Sequence, residues 1–460
     1  EVGAVTRLRV LHVTSEVAPY SQTGGLGGVL AELPEYQRRL GLDVRVITPL
    51  YSTIDRDTLT HVRGLENIRM GGHSYGGALW ESADGTVIFV DVPGLLDRPD
   101  PYGDEHGPYP DNPIRFGVFC RVAATLRDEV DLYHLHDWQA GLTALYLGGH
   151  RATMLTVHNL GFQGLCGFEW ADRLEIPSAL RSLDGVEYYG QISLLKAGLV
   201  LSDMLTTVSP NYAREIQSEP RGLGFASLFR RRRLGLTGVL NGIDPARWNP
   251  ATDTALPVTF DVKNRAGKAA CRAALKKTLG LDDGPIFGLV SRAVAHKGLD
   301  VLGRAAEYAI ERGARFAVLA HGEPSPMAIL ADLAERHPTA FAFVCRFDAD
   351  LARRLFAGAD FIVVPSHYEP CGIGHLIGMR YGAVPVVRLT GGIVDTVTEG
   401  VTGLGYELQR PEILADTLQR AAELYADQEA YQRMQVQCMK ADWAWSKPAQ
   451  SYAELYRRLV

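Results

Sequence analysis

At 460 residues the chain exceeds what one hydrophobic core usually serves, so two domains are expected. With 46% hydrophobic and 22% charged side chains, its composition is that of a globular protein and excludes a disordered one. A formal net charge of -6 excludes the broad basic field that holds nucleic acid or an anionic membrane, so an anionic ligand has to be held locally.

The predicted elements begin with a short apolar run, Leu8 to Val13, followed by a glycine-rich turn, a helix over Val29 to Leu40 and a second apolar run from Val44 to Leu50. That order is a βαβ opening. Strands are expected next at Val87 to Val92, Leu132 to Leu135, Met154 to Val157 and Leu205 to Val208, and Ser209-Pro210 suits a helix start. Polar, loop-like sequence after Asn241-Gly242-Ile243-Asp244 marks the domain boundary, with 1–244 on one side and 245–444 on the other. A second alternating series follows, with apolar runs at Ile286 to Val290, Phe316 to Ala320, Phe341 to Val344, Phe361 to Val364 and Val384 to Val387. Near-continuous apolar strands alternating with helices indicate parallel sheets covered on both faces, an α/β fold that binds ligands at the carboxyl ends of its strands. Arg230 to Arg233 is the only dense charge run and reads as a solvated helix face. No apolar run approaches the ~18 residues of a membrane span, and Glu1 to Val10 holds no apolar leader segment. Six cysteines without a CxxC pair read as reduced thiols of an intracellular protein.

Four constellations could carry chemistry. Thr23-Gly24-Gly25-Leu26-Gly27-Gly28 sits where a strand meets a helix, and amides there can approach a diphosphate. The dinucleotide pattern GxGxxG fails, because Leu30 stands where its last glycine belongs. The bland alternative is a turn merely rich in glycine. In Ser291 to Gly298, Arg292 and Lys297 could hold one phosphate group, or could be two surface charges. Pro365 to His375 places Glu369 before a glycine-punctuated helix start at Cys371-Gly372-Ile373-Gly374, with a carboxylate for sugar hydroxyls and amides for phosphate. Cys371 reads as a packing or ligand-lining thiol and not as a nucleophile. His134-Leu135-His136-Asp137-Trp138, with Thr156-Val157-His158-Asn159 further on, could hold a metal. The stronger reading puts His134 and His136 on one strand face with Asp137 pointing away. Asp348 and Asp350 begin an apparent helix and read as caps, so no metal is expected.

Taken together, nine ordered segments resemble the bacterial glycogen synthases and plant starch synthases from about Leu8 to Tyr456. They are SEVAPYSQTGGLGGV, LLDRPDPYG, HLHDWQAG, TVHNLGFQG, LLKAGLVLSDMLTTVSPNYAREI, VLNGIDPARWNP, VSRAVAHKGLD, VVPSHYEPCGIGHLIGMRYG and TGGIVDTV. The resemblance implies a GT-B fold, two Rossmann-like domains with a ligand cleft between them, in which the C-terminal helix 445–460 completes the first, acceptor-side domain. It also implies transfer of glucose from ADP-glucose to the nonreducing 4-hydroxyl of an α-1,4-glucan with retention, without metal or other cofactor. Front-face attack, with the departing phosphate taking the hydroxyl's proton, makes leaving-group electrostatics the main protein contribution.

Position by position, the resemblance implies that Arg292 and Lys297 stabilise the leaving diphosphate and that Glu369 and His158 serve the donor glucose, with Asn241 near its hydroxyls. Gly24, Gly25 and Cys371 to Gly374 line the nucleotide sugar, and Phe347 stacks on adenine. Asp137, Trp138 and Tyr102 line the acceptor side. The expected location is the cytoplasm, or the plastid of a plant source. Four positions depart from the family pattern: Gln22 stands for Lys, Gly28 for Asp, and Gly374-His375 for Thr-Gln. They keep open two other readings, a weakly active or regulatory glucan-associated relative and a transferase using UDP-glucose or another acceptor.

Overall fold

The structure is a computed structural model that describes residues 7–460; the leader expectation for Glu1 to Val10 therefore falls mostly outside the described residues. The chain divides into two compact units, one running through Leu240 and completed by Trp445–Val460, the other Asn241–Ala444. Asn241 to Asp244 go with the second unit because Ile243 donates its amide to Trp443 and bridges Ala444.

The first unit is built on a nine-stranded sheet. From one edge its strands are Leu236–Gly238, Met204–Thr207, Ala152–Val157, Leu132–His136, Arg9–Val13, Asp43–Pro49, Val87–Asp91, His73–Glu81 and Thr60–Met70. The first seven are parallel, and the last two form an antiparallel hairpin at the edge. That hairpin escapes sequence patterning because most of Thr60–Met70 is exposed and carries no alternation of apolar side chains. The helix Gly25–Arg39 covers the sheet beside the C-terminal helix Ser446–Leu459. Trp445, Tyr452 and Tyr456 join the core containing Val29, Leu33 and Val46, and the Trp445 indole donates to Glu32 at 2.8 Å.

The second unit carries a six-stranded parallel sheet in the order Phe341–Val344, Arg315–Gly322, Ile286–Ala293, Phe361–Val364, Val384–Arg388, Leu404–Tyr406. Alternate residues of one strand feed two cores: Phe316, Val318 and Ala320 pack on one face, Ala317 and Leu319 on the other. This is the physical content of a doubly covered sheet, and it explains why these runs read as continuously apolar.

Two expectations need correction. The helix foreseen from Val29 begins at Gly25, so the glycines form its first turn instead of a preceding loop. Arg230, Arg231 and Arg233 are exposed as expected, but Arg232 is half-buried and donates to the carbonyls of Leu199, Val200, Ser202 and Asp203, tying the end of one helix to the segment before a strand. Ser209 caps the helix Pro210–Glu215 through Tyr212, and Asp348 caps Ala349–Gly358 through Leu351. All six cysteines are free, with five buried. Among the described residues no helix is long and apolar enough to cross a membrane.

Candidate active site

In the second unit the strand ends gather the chemistry. Strand Ile286–Ala293 delivers Arg292 and, through the turn after it, Lys297; strand Phe361–Val364 delivers Ser366 and Glu369. Lys297 Nζ lies 2.6 Å from Glu369 Oε2, and Ser366 donates to the same oxygen at 2.9 Å. Burial opposes ionisation of Glu369, but the Lys297 ammonium and the two hydrogen bonds hold its carboxyl below the usual range. Two close approaches fix this loop. A Cβ on Gly298, at φ +69°, would stand 1.9 Å from the Pro365 carbonyl oxygen, and one on Gly391, at φ +53°, 1.8 Å from that of Glu369.

Around this pair, Gly372 adopts φ +73° beside Glu369, and Ile373 precedes the short helix Gly374–Arg380. The Cys371 thiol is buried and pushed up to about 12, which makes it a packing group. The backbone amide of Asn241 bonds to that thiol, which brings Asn241 to the same loop. His375, buried and lowered to about 4 by desolvation, bonds through Nε2 to Thr396 at 2.7 Å, so it braces the helix. Arg292 is exposed, and Phe347 is 87% exposed with its ring unpacked.

In the first unit, Glu16 changes the reading of the glycine turn. Its carboxylate accepts from the Thr23 amide at 2.6 Å, the Thr23 hydroxyl at 2.7 Å and, weakly, the Gly24 amide at 3.4 Å. The chain's own carboxylate thus takes chiefly Thr23 of the turn that the sequence assigns to a ligand. Gly25 stays open, with nothing within 4 Å of an added Cβ. Tyr102 is half-buried and bonds to Glu16 and, at 2.8 Å, to Ser15. Its hydroxyl supports the turn, while its loop and Thr23 line an open cavity of about 650 Å³.

Asp137 does not point away from His134 and His136 along a strand. The strand ends at His136, and Asp137 turns at φ +57° into a short helix. Burial raises its carboxyl to about 7, and it accepts from the amides of His158 at 2.7 Å and Asn159 at 3.5 Å. Asp137 therefore positions the His158 loop. Trp138 is wedged edge-on to Phe116, and a Cβ on Gly164 would meet its ring at 2.5 Å. His134 and His136 do share a face, with ring centroids 4.3 Å apart, and His12 completes a buried group of the composition that metals use. Every ring nitrogen of the three already has a partner.

Sequence reading missed Glu16, Ser366, His12 and Gly391 as site components. A carboxylate seven residues before Thr23 carries no local pattern, and Gly391 meets Glu369 only through the fold.

Residues 9–231 match the family model of the starch synthase catalytic domain, and residues 284–423 match that of glycosyl transferases group 1. The chain is 40% identical to a glycogen synthase of Syntrophotalea carbinolica, over 98% of this chain and 99% of that one. It is 39% identical to a glycogen synthase of Dechloromonas aromatica, over 99% of each. The catalytic domain of starch synthase IV from Arabidopsis thaliana, solved bound to ADP and acarbose, superposes with TM-score 0.90 at 28% identity over 98% of this chain and 99% of that one. Two Rossmann-like units with this strand order and these neighbours define a GT-B glycosyltransferase, an enzyme class that transfers a sugar from a nucleotide-sugar donor. Within that class the chain belongs to the glycogen and starch synthase family, and it is a retaining glucosyltransferase that acts on glucan.

Proposed function

We propose that the donor is ADP-glucose and that the acceptor is the nonreducing 4-hydroxyl of an α-1,4-glucan. The observation that carries this reading is the Lys297–Glu369 pair, a cation and a carboxylate placed together at the ends of two adjacent parallel strands. Support comes from the starch synthase IV neighbour, whose structure holds ADP and acarbose. Arg292 and Lys297 take the diphosphate, the amides of Gly372 to Gly374 its oxygens, and Phe347 the adenine face. In the second unit Glu369 and Asn241 hold the glucose; in the first, Asp137 keeps in place the loop of His158, a sugar-binding residue. The acceptor-side residues are Trp138 and Tyr102, the latter through its loop.

The acceptor oxygen bonds to the anomeric carbon as the bond from that carbon to the phosphate oxygen breaks. The electron pair goes to the diphosphate, and the acceptor's proton passes to the departing phosphate oxygen. The products are ADP and a glucan longer by one residue. Charge grows on the leaving group, so cations fixed beside it favour the transition state over the ground state.

Incubation with labelled ADP-glucose or UDP-glucose and glycogen, with and without EDTA, tests the reading. ADP release matched by glucan-bound label in EDTA is expected. Label transfer from UDP-glucose alone, or activity restored by added divalent metal, overturns it.

A further inference from the structure

Behind His158 lies a row of buried side chains that glucosyl transfer does not use directly. His158 Nε2 is 2.8 Å from His136 Nδ1, His136 Nε2 is 2.9 Å from His12 Nδ1, and His12 Nε2 is 2.7 Å from Gln37 Oε1. The Gln37 amide nitrogen donates to the Tyr456 hydroxyl at 2.8 Å, and that hydroxyl lies 2.6 Å from His134 Nδ1. His134 Nε2 lies 2.6 Å from the Thr156 hydroxyl, which bonds on to that of Thr206 at 2.5 Å. His12, His134, His136 and Gln37 are fully buried, and desolvation holds His12 at about 4, His158 at about 3, and His134 and His136 well below the ordinary value. All four imidazoles are therefore neutral at working pH, so each carries one proton and offers one lone pair.

A row of neutral imidazoles has only two proton arrangements, one the reverse of the other. The Gln37 carbonyl oxygen can only accept, so His12 is protonated on Nε2 and bare on Nδ1. His136 must then donate from Nε2, and His158 must do the same. Turning the Gln37 amide over would reverse every proton in the row, which makes this side chain the deciding one.

We propose that Gln37, acting through His12 and His136, is a positioning residue that fixes His158 as the Nε2-protonated tautomer, leaving Nδ1 bare to accept a hydrogen bond from a sugar hydroxyl. The sugar contact rests on the functional reading above; the tautomer does not. Among the described residues nothing bonds to His158 Nδ1. A bare nitrogen there can accept a hydrogen bond from a hydroxyl.

The experiment is two-bond ¹H–¹⁵N correlation on the full chain labelled with ¹⁵N-histidine at pH 7.5, with signals assigned by single replacements including His158→Asn. The expected result is neutral, Nε2-protonated His158, His136 and His12. An Nδ1 proton on His158, or an imidazolium, overturns the proposal whatever the enzyme transfers. Gln37→Leu should scramble the His158 tautomer and lower kcat/KM by about tenfold, the equivalent of one hydrogen bond. Should Gln37→Leu leave the His158 signals unchanged, Gln37 is not the deciding residue. Loss of transfer in the wild type with the tautomer as expected would count against the functional reading and leave the wire intact.

Discussion

Lys297 and Glu369, 72 residues apart in the chain, form a pair 2.6 Å apart whose side chains are only 19% and 8% exposed. The sequence assigns one to phosphate and the other to sugar, and the structure shows each as the other's neutralising partner. Removing one leaves the other buried and uncompensated. Lys297→Ala or Glu369→Ala should therefore cost about 3–5 kcal/mol, and the double variant clearly less than the sum. Denaturant titration of the two singles and the double checks this; additive losses would mean that the pair is not coupled.

Their catalytic effects should separate. Glu369→Ala is expected to abolish transfer and to keep ADP affinity, since the freed ammonium remains for phosphate. Calorimetric titration with ADP alongside a transfer assay reads both, and transfer at the wild-type rate rules out a role for Glu369 in the chemistry.

Arg292 is exposed near the end of its strand, and the proposed function assigns it to the diphosphate. Arg292→Ala should weaken ADP binding by about 1.5–3 kcal/mol, the usual worth of a charged hydrogen bond, and lower turnover as well. An unchanged ADP dissociation constant would remove Arg292 from the phosphate site.

Asp137 is held near neutral by burial, with its carboxyl raised to about 7. A raised carboxyl keeps its proton in the folded state after the unfolded chain has lost it, so its contribution to stability falls as pH rises from about 4 to about 7. Asp137→Asn keeps an oxygen for the amides of His158 and Asn159 and cannot ionise. Its melting temperature relative to wild type should climb across that window and level off above it. A difference independent of pH would show that Asp137 ionises normally.

Gln22 and Gly28, two of the departures from the family pattern, are neighbours: a Cβ on Gly28 would stand 3.6 Å from Gln22 Nε2, which donates to the Gly24 carbonyl at 3.1 Å. The family's Lys and Asp at these positions are thus replaced together. Gln22→Lys, alone or with Gly28→Asp and Gly374→Thr, should raise kcat more than it changes KM, because the added ammonium meets charge that grows in the transition state. If steady-state kinetics show neither variant faster than wild type, these positions do not limit the rate.

Much was legible in the chain itself. The apolar runs at Phe316 to Ala320 or Val384 to Val387 announce strands, because a strand covered on both faces needs apolar residues at every position. Ser209 before Pro210 and Asp348 before Ala349 announce helix starts, because a cap acts within three residues. The ordered motifs carried the family and its chemistry. Local periodicity and local hydrogen bonds leave such marks wherever they act.

Tertiary structure alone decided what depends on groups far apart in sequence. It set Glu16 against the glycine turn, where its carboxylate takes the Thr23 amide and hydroxyl, and it began the helix at Gly25. It turned Asp137 from a strand residue into the cap of the His158 loop, and Arg232 from a surface charge into a clasp on four carbonyls. It joined His158 to Gln37 and Tyr456 through parallel strands whose register sets His12 beside His134. A side chain's protonation and partners depend on burial and on neighbours across the sheet, and neither has a period along the chain.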